Sequence, residues 1–278
     1  MEKLSDKQKL EEELRRVNQK LLSAEKVQSD FLSNIKNEIN NPLTSILGLL
    51  KVANDNPEDH QGNVQINKMV YKEVHNLNFQ MRNILTAAEI EAGQTSPNVS
   101  KFNVSELISS VCQTFISIDA SKEDLLTVVA SGDLDFVTDK EKLSIILSNL
   151  VSNALKFNKP NEKVIITAEQ ESENKLILSI RDFGVGIDEE SLKSIFDRFK
   201  QLDSGTRKEF GGHGLGLSVV HALVSMLNGD FSVDSIAGKG TTFIVEIPLI
   251  NASQSQSVFY DDDEGILFGL DEEGEERF

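Results

Sequence analysis

The chain has 278 residues, 39% of them hydrophobic and 26% charged, which gives room for two domains at roughly 100–200 residues each and excludes a wholly disordered polymer. Its formal net charge is −17, and nine acidic residues against one arginine lie between Asp261 and Phe278, so about half of the imbalance belongs to a tail. No basic stripe offsets that charge, which argues against nucleic acid and a bare anionic membrane surface as partners.

From Leu10 the apolar positions run Leu14, Val17, Leu21 and Ala24, then Phe31 and Ile35, a 4-3-4-3 spacing that predicts a coiled-coil-like helix over 1–30 leading into a hairpin over 31–94. Pro42 should kink this first helix without ending it, because the pattern resumes at Leu43, Ile46, Leu47 and Leu50. A turn is expected from Asn54 to Gly62. The second helix carries Val70, Val74, Leu77, Met81, Ile84 and Ala88 and stops near Gly93. One hairpin buries too little by itself, so pairing with a second copy as a four-helix bundle is the expected solution.

A linker at 95–102 separates the hairpin from a mixed region over 103–250. Its elements are a helix at 105–118, a strand at 125–130, a helix at 139–157, strands at 164–169 and 176–182, a Gly-rich loop, a helix at 215–227 and strands at 231–235 and 242–248. Strands interleaved with helices in runs predict an α+β arrangement in which this region is an α/β sandwich. Cys112, the only cysteine, leaves no internal disulfide and no multi-cysteine metal site, and fits a reducing compartment. The tail over 251–278 is Ser/Gln-rich, then acidic, and is expected to be disordered. No apolar run approaches the ~18 residues of a membrane span, and the amino terminus is charged, unlike a signal peptide. The expectation is a soluble, cytoplasmic chain whose sensor lies on another chain or on a segment outside this one.

Asn149, Asn153 and Lys156 follow i, i+4, i+7, so one helix face presents two amides and an ammonium. Such a face suits a magnesium triphosphate, with Asn153 giving an oxygen to the metal and Lys156 neutralising phosphate; standing alone it reads rather as an exposed polar face. Asp182-Phe183-Gly184-Val185-Gly186 follows a strand and offers a carboxylate for an exocyclic amine such as that of adenine, with glycines that let backbone approach a ring. Then come Ile195-Phe196-Asp197-Arg198-Phe199 and Gly211-Gly212-His213-Gly214-Leu215-Gly216-Leu217. These glycines open a helix whose N–H groups favour phosphate.

In this order the four motifs resemble the ATP-binding domain of histidine kinases, within the wider gyrase, Hsp90, histidine kinase and MutL superfamily. The hairpin ending Leu-Thr-Ala-Ala-Glu-Ile-Glu-Ala-Gly resembles that family's dimerisation and phosphotransfer domain, so the likeness runs from about Phe31 to Pro248. It implies a cytoplasmic, homodimeric two-component core using ATP and Mg2+, with Asn149, Asn153, Lys156, Asp182, Gly184, Gly186, Gly212, Gly214 and Gly216 around the nucleotide and a response regulator receiver domain or another histidine kinase as partner. Arg207 and Lys208 are either triphosphate ligands on the lid or solvated charges.

The family's first hairpin helix normally holds a histidine in a stretch like S-H-E-[IL]-R-[TN]-P-L. Here that stretch is Lys36-Asn37-Glu38-Ile39-Asn40-Asn41-Pro42-Leu43, and Asn37 occupies the acceptor position. It falls ~200° around the helix from the seam residue Ile35, on the outer side. Its amide nitrogen is conjugated with a carbonyl, unlike the free lone pair of imidazole, so no autophosphorylation is expected there. His60, His75, His213 and His221 do not stand beside Glu38 in the sequence pattern. Glu38 and Asn41 match the acid and amide that help position water in relatives acting as phosphatases, or they simply cover an exposed turn. Two outcomes stay open: a kinase core serving a partner histidine or dephosphorylating a response regulator, and a non-enzymatic pseudokinase module whose ATP-bound shape is read by a partner kinase.

Overall fold

A computed structural model of the chain describes residues 14, 15, 18, 33, 35–37, 39–93, 96–130, 134–171, 174–192, 195, 215–250 and 259–260. Helix α1 runs continuously over 39–55, through Pro42, with 33 and 35–37 also helical. Most of the expected coiled coil at 1–30 lies outside the described residues. The turn is shorter than the composition suggested: only 56–59 leaves the helix, and α2 begins at His60 and extends to Glu91. Asp59 sets that start by accepting from the Gly62 N–H at 2.9 Å. At the far end Gly93 takes a φ of +62°, the left-handed turn that a glycine after the cap allows.

Two short strands that the hydrophobic pattern missed follow, β1 (Ser100–Asn103) and β3 (Asp135–Thr138), paired antiparallel. Between them lie α3 (Val104–Ile118), a 3₁₀ turn (Ala120–Leu125) and β2 (Leu126–Ala130). Asn103 caps α3 through the Glu106 N–H. The remainder is α4 (Lys140–Phe157), β4 (Val164–Glu171), β5 (Lys175–Arg181), the single-turn α5 (Glu189–Leu192), α6 (Gly216–Met226), β6 (Asp230–Ile236) and β7 (Gly240–Pro248).

The large sheet has the order β2-β4-β5-β7-β6, with β2 and β4 parallel and the other neighbours antiparallel. Alternate residues of its central strands, Val164, Ile166 and Ala168, then Leu176, Leu178 and Ile180, then Val245 and Ile247, are closed to solvent, as a period of two requires when one face is covered. They share one core with Leu143, Ile146, Leu147 and Leu150 of α4 and Val220 and Leu223 of α6. This is the sandwich that the interleaved pattern predicted. The tail departs from expectation at one place: residues 259–260 form a strand, β8, parallel to β1, where an open strand edge offers unpaired N–H and C=O groups.

Two contacts tie the segment after the hairpin to α4. Asp139, the buried cap of α4, accepts from the Lys142 N–H at 2.9 Å and, through its other oxygen, from the Asn98 N–H at 2.7 Å, while Lys142 Nζ donates to the Ser96 carbonyl at 3.2 Å. The linker is therefore bound to the first turn of α4. Farther back, Asn83 and Thr86 are the buried residues of α2, and Ala87 and Ile90 pack against the core. No helix among the described residues is long and apolar enough to cross a membrane.

Candidate functional site

Helix α4 carries Asn149, Asn153 and Lys156 on one side, yet their surroundings differ. Asn149 is only 2% exposed: its Nδ2 donates to Asn83 Oδ1 at 2.8 Å and to the Ile145 carbonyl at 2.9 Å, and its Oδ1 accepts from Asn83 Nδ2 at 2.9 Å. Asn153 and Lys156 are half-buried. Lys156 Nζ stands 4.8 Å from the centroid of the Phe157 ring, and burial lowers its pKa below the usual lysine value. A cation short of solvent gains more than an exposed one from an anion placed beside it.

The loop after β5 is held by the end of α4. Asn158 Oδ1 accepts from the Phe183 N–H at 3.1 Å, and its Nδ2 donates to the carbonyls of Glu162 and Lys163 at 2.8 and 3.2 Å. One side chain thus joins the helix end, the turn after it and the loop. The Val185 N–H donates to the Phe157 carbonyl at 3.1 Å and the Gly238 N–H to the Val185 carbonyl at 2.7 Å. Gly184 and Gly186 were expected to let a ring approach. Their missing side chains instead make room for the chain's own backbone: a Cβ on Gly184 would stand 1.9 Å from the Phe157 carbonyl oxygen, and one on Gly186, at a φ of +63°, 2.1 Å from that of Ile236.

Asp182 is buried in that loop, and its Oδ1 accepts from the N–H groups of Gly184 and Thr241 at 2.9 and 3.2 Å. Burial raises its pKa above the usual carboxylate value, and the two backbone hydrogen bonds oppose that rise. Oδ2 takes no part in these two bonds. A buried carboxylate oriented in this way suits an exocyclic amine, and the amide of Asn153 with the ammonium of Lys156 suits a metal-bound phosphate, so the donor set fits a magnesium nucleotide.

Gly216 opens α6 beside the first of these residues, since a Cβ on it would lie 2.8 Å from Asn149 Oδ1. Asn37 and Asn41 are exposed on the first hairpin helix. Glu38, Arg207, Lys208, Gly212 and Gly214 lie outside the described residues. Sequence reasoning missed Asn83 and Asn158, the two amides that bind the site's elements together. Asn158 stood where α4 must end and a polar cap was to be expected, whereas nothing marked Asn83 among the polar residues of α2.

Comparison with known proteins matches two stretches of the chain to family models. Residues 138–251 match the family model of histidine kinase-, DNA gyrase B-, and HSP90-like ATPases, and residues 27–93 match the His Kinase A (phospho-acceptor) domain. Over 228 residues, 80% of this chain and 26% of the relative, the sequence is 34% identical to the autoinducer 2 sensor kinase/phosphatase LuxQ of Vibrio parahaemolyticus. It is 30% identical over 258 residues to the sensor histidine kinase RcsC of Escherichia coli, covering 91% of this chain and 27% of that one. The chain therefore spans about a quarter of the length of the curated relatives it matches. In fold it is similar to full-length ShkA, solved in complex with AMPPNP, with a TM-score of 0.57 at 23% identity over 80% of this chain and 46% of that one. It is also similar to the histidine kinase AdeS of Acinetobacter baumannii, with a TM-score of 0.55 at 23% identity over 77% and 98% of the respective chains.

Proposed function

The chain carries the core of a two-component sensor histidine kinase, and from that premise we propose that it is a dimeric, ATP- and magnesium-binding core that does not autophosphorylate on its own hairpin. The observation that carries this reading is Asn37, exposed on the first hairpin helix one turn before Asn41, at the position where the family presents an imidazole. Phosphoryl transfer depends on holding a competent nucleophile against a charge-stabilised phosphate. An amide nitrogen is no such nucleophile, however well the nucleotide is held.

In this reading Asn153 gives an oxygen to the metal, Lys156 neutralises phosphate, and Asp182 accepts from the adenine amine. The glycines at 212, 214 and 216 are read as the lid, with Arg207 and Lys208 as triphosphate ligands when it closes. Bound magnesium would supply charge neutralisation along the triphosphate. The output then passes to another molecule: a histidine on another histidine kinase receives the phosphoryl group, or a response regulator is dephosphorylated with Glu38 and Asn41 ordering water. Incubation with γ-labelled ATP tests the reading. Label on Asn37→His alone is the expected result, and label on the unmodified hairpin would overturn it.

A second reading, a module whose nucleotide-bound shape is read by a partner kinase, draws support from the Asn83–Asn149 pair, which links hairpin and ATP domain directly. Nucleotide binding with no turnover and no label on any added partner would select it.

A further inference from the structure

Asn83 stands on the hairpin and belongs to none of the nucleotide motifs, yet it shares two reciprocal hydrogen bonds with Asn149. A neutral carboxamide has two N–H donors, and both of those on Asn149 are engaged, one by Asn83 and one by the Ile145 carbonyl. The face of α2 that brings Asn83 there is separate from the apolar seam. Residues 83, 86, 87 and 90 point to the core, about 140° around the helix from Leu77, Met81, Ile84 and Ala88.

Resting on the ATP-binding reading above, we propose that Asn83 is a positioning residue for the nucleotide site: by pairing with Asn149 it turns the first amide of α4 toward the hairpin, so that docking of α2 and binding of nucleotide phosphates compete for one side chain. A buried amide that loses its partner carries an uncompensated desolvation cost. Asn149 escapes that cost when it donates to phosphate, and Asn83 escapes it when the 83–90 segment moves off α4 into water. Each event therefore favours the other, and the coupling is reciprocal.

The test uses the full chain, magnesium-ATP titrated by calorimetry and AMPPNP for hydrogen exchange. Asn83→Leu, alike in branching and heavy-atom count, and Asn83→Ala are each expected to tighten nucleotide binding about tenfold, toward the low end of the range for coupled sites. Thr86→Ala, on the same face but outside the pair, is expected to change it by less than about twofold. In the unmodified chain, saturating AMPPNP is expected to speed amide exchange across 83–90, a readout that a merely structural Asn83 would not move. Unchanged or weaker binding in both Asn83 variants at native helical content overturns the competition, as does equal tightening by Thr86→Ala. If neither variant folds, slowed or unaltered exchange over 83–90 in the unmodified chain overturns it instead. Absence of nucleotide binding in all the chains overturns the ATP reading and the competition with it, whereas binding seen only in the Asn83 variants supports both.

Discussion

In the ATP-binding domain the large apolar side chains of α4 and the central strands are sealed from solvent, while on the hairpin Leu47 is 67% exposed and Leu85 58%, with Val64, Met69, Tyr71 and Met81 also open. Sequence periodicity is similarly clear in both regions. Among the described residues, only one of them completes a core from its own chain. A helix pair that leaves this much apolar surface open to water has part of its stabilisation still to come from a partner; in the proposed dimer a second copy supplies it as a four-helix bundle. Stability of the sandwich is then a property of one chain, and stability of the hairpin a property of concentration.

The contrast is broken most severely inside the sandwich. Leu147→Ala should cost about 3–5 kcal/mol, since Leu147 is wholly buried and its neighbours cannot fill the space. Chemical denaturation of the ATP-binding domain should show this loss equally at low and high protein concentration. Leu47→Glu should do the reverse. It should weaken self-association by about 100-fold, close to 2.7 kcal/mol, as read by sedimentation, and leave the sandwich's own unfolding midpoint in place. A monomeric unmodified chain would undo the comparison.

The smallest of these changes in stability is expected at Asp182. Burial raises its folded pKa, so its contribution to stability is complete only below the usual carboxylate range and is lost as pH rises through the raised value. At neutral pH the ionised group is therefore a modest burden. Asp182→Asn keeps an acceptor for the Gly184 and Thr241 N–H groups, and should stabilise the domain at pH 7 with no gain at pH 3. It should also weaken adenine nucleotide binding about 10–100-fold, the worth of a hydrogen bond to a charged acceptor. If the stability gain were equally large at both pH values, burial would not be its source.

Much of this architecture is legible in the sequence because its signals are local. Asp139 caps α4, Gly93 follows α2, and the alternating Val164, Ile166 and Ala168 declare a strand with one covered face. Strands β1 and β3 were missed because each spans four residues around a single buried phenylalanine, Phe102 or Phe136, too short for a period of two to stand out. The docking face of α2 was hidden for another reason. Hydrophobic patterning counts apolar residues, and this face centres on Asn83 and Thr86, the first of which pairs with an amide 66 positions away in the chain. The Asp182 motif was legible as a motif, but the reason for its glycines was not, since the atoms that need the space belong to Phe157 and Ile236.

The binding of Asn98 and Ser96 to the first turn of α4 has a mechanical consequence. These bonds grip the same helix that carries Asn153 and Lys156. A pull on residues 96–98 is therefore borne by the first turn of that helix and not by a slack tether.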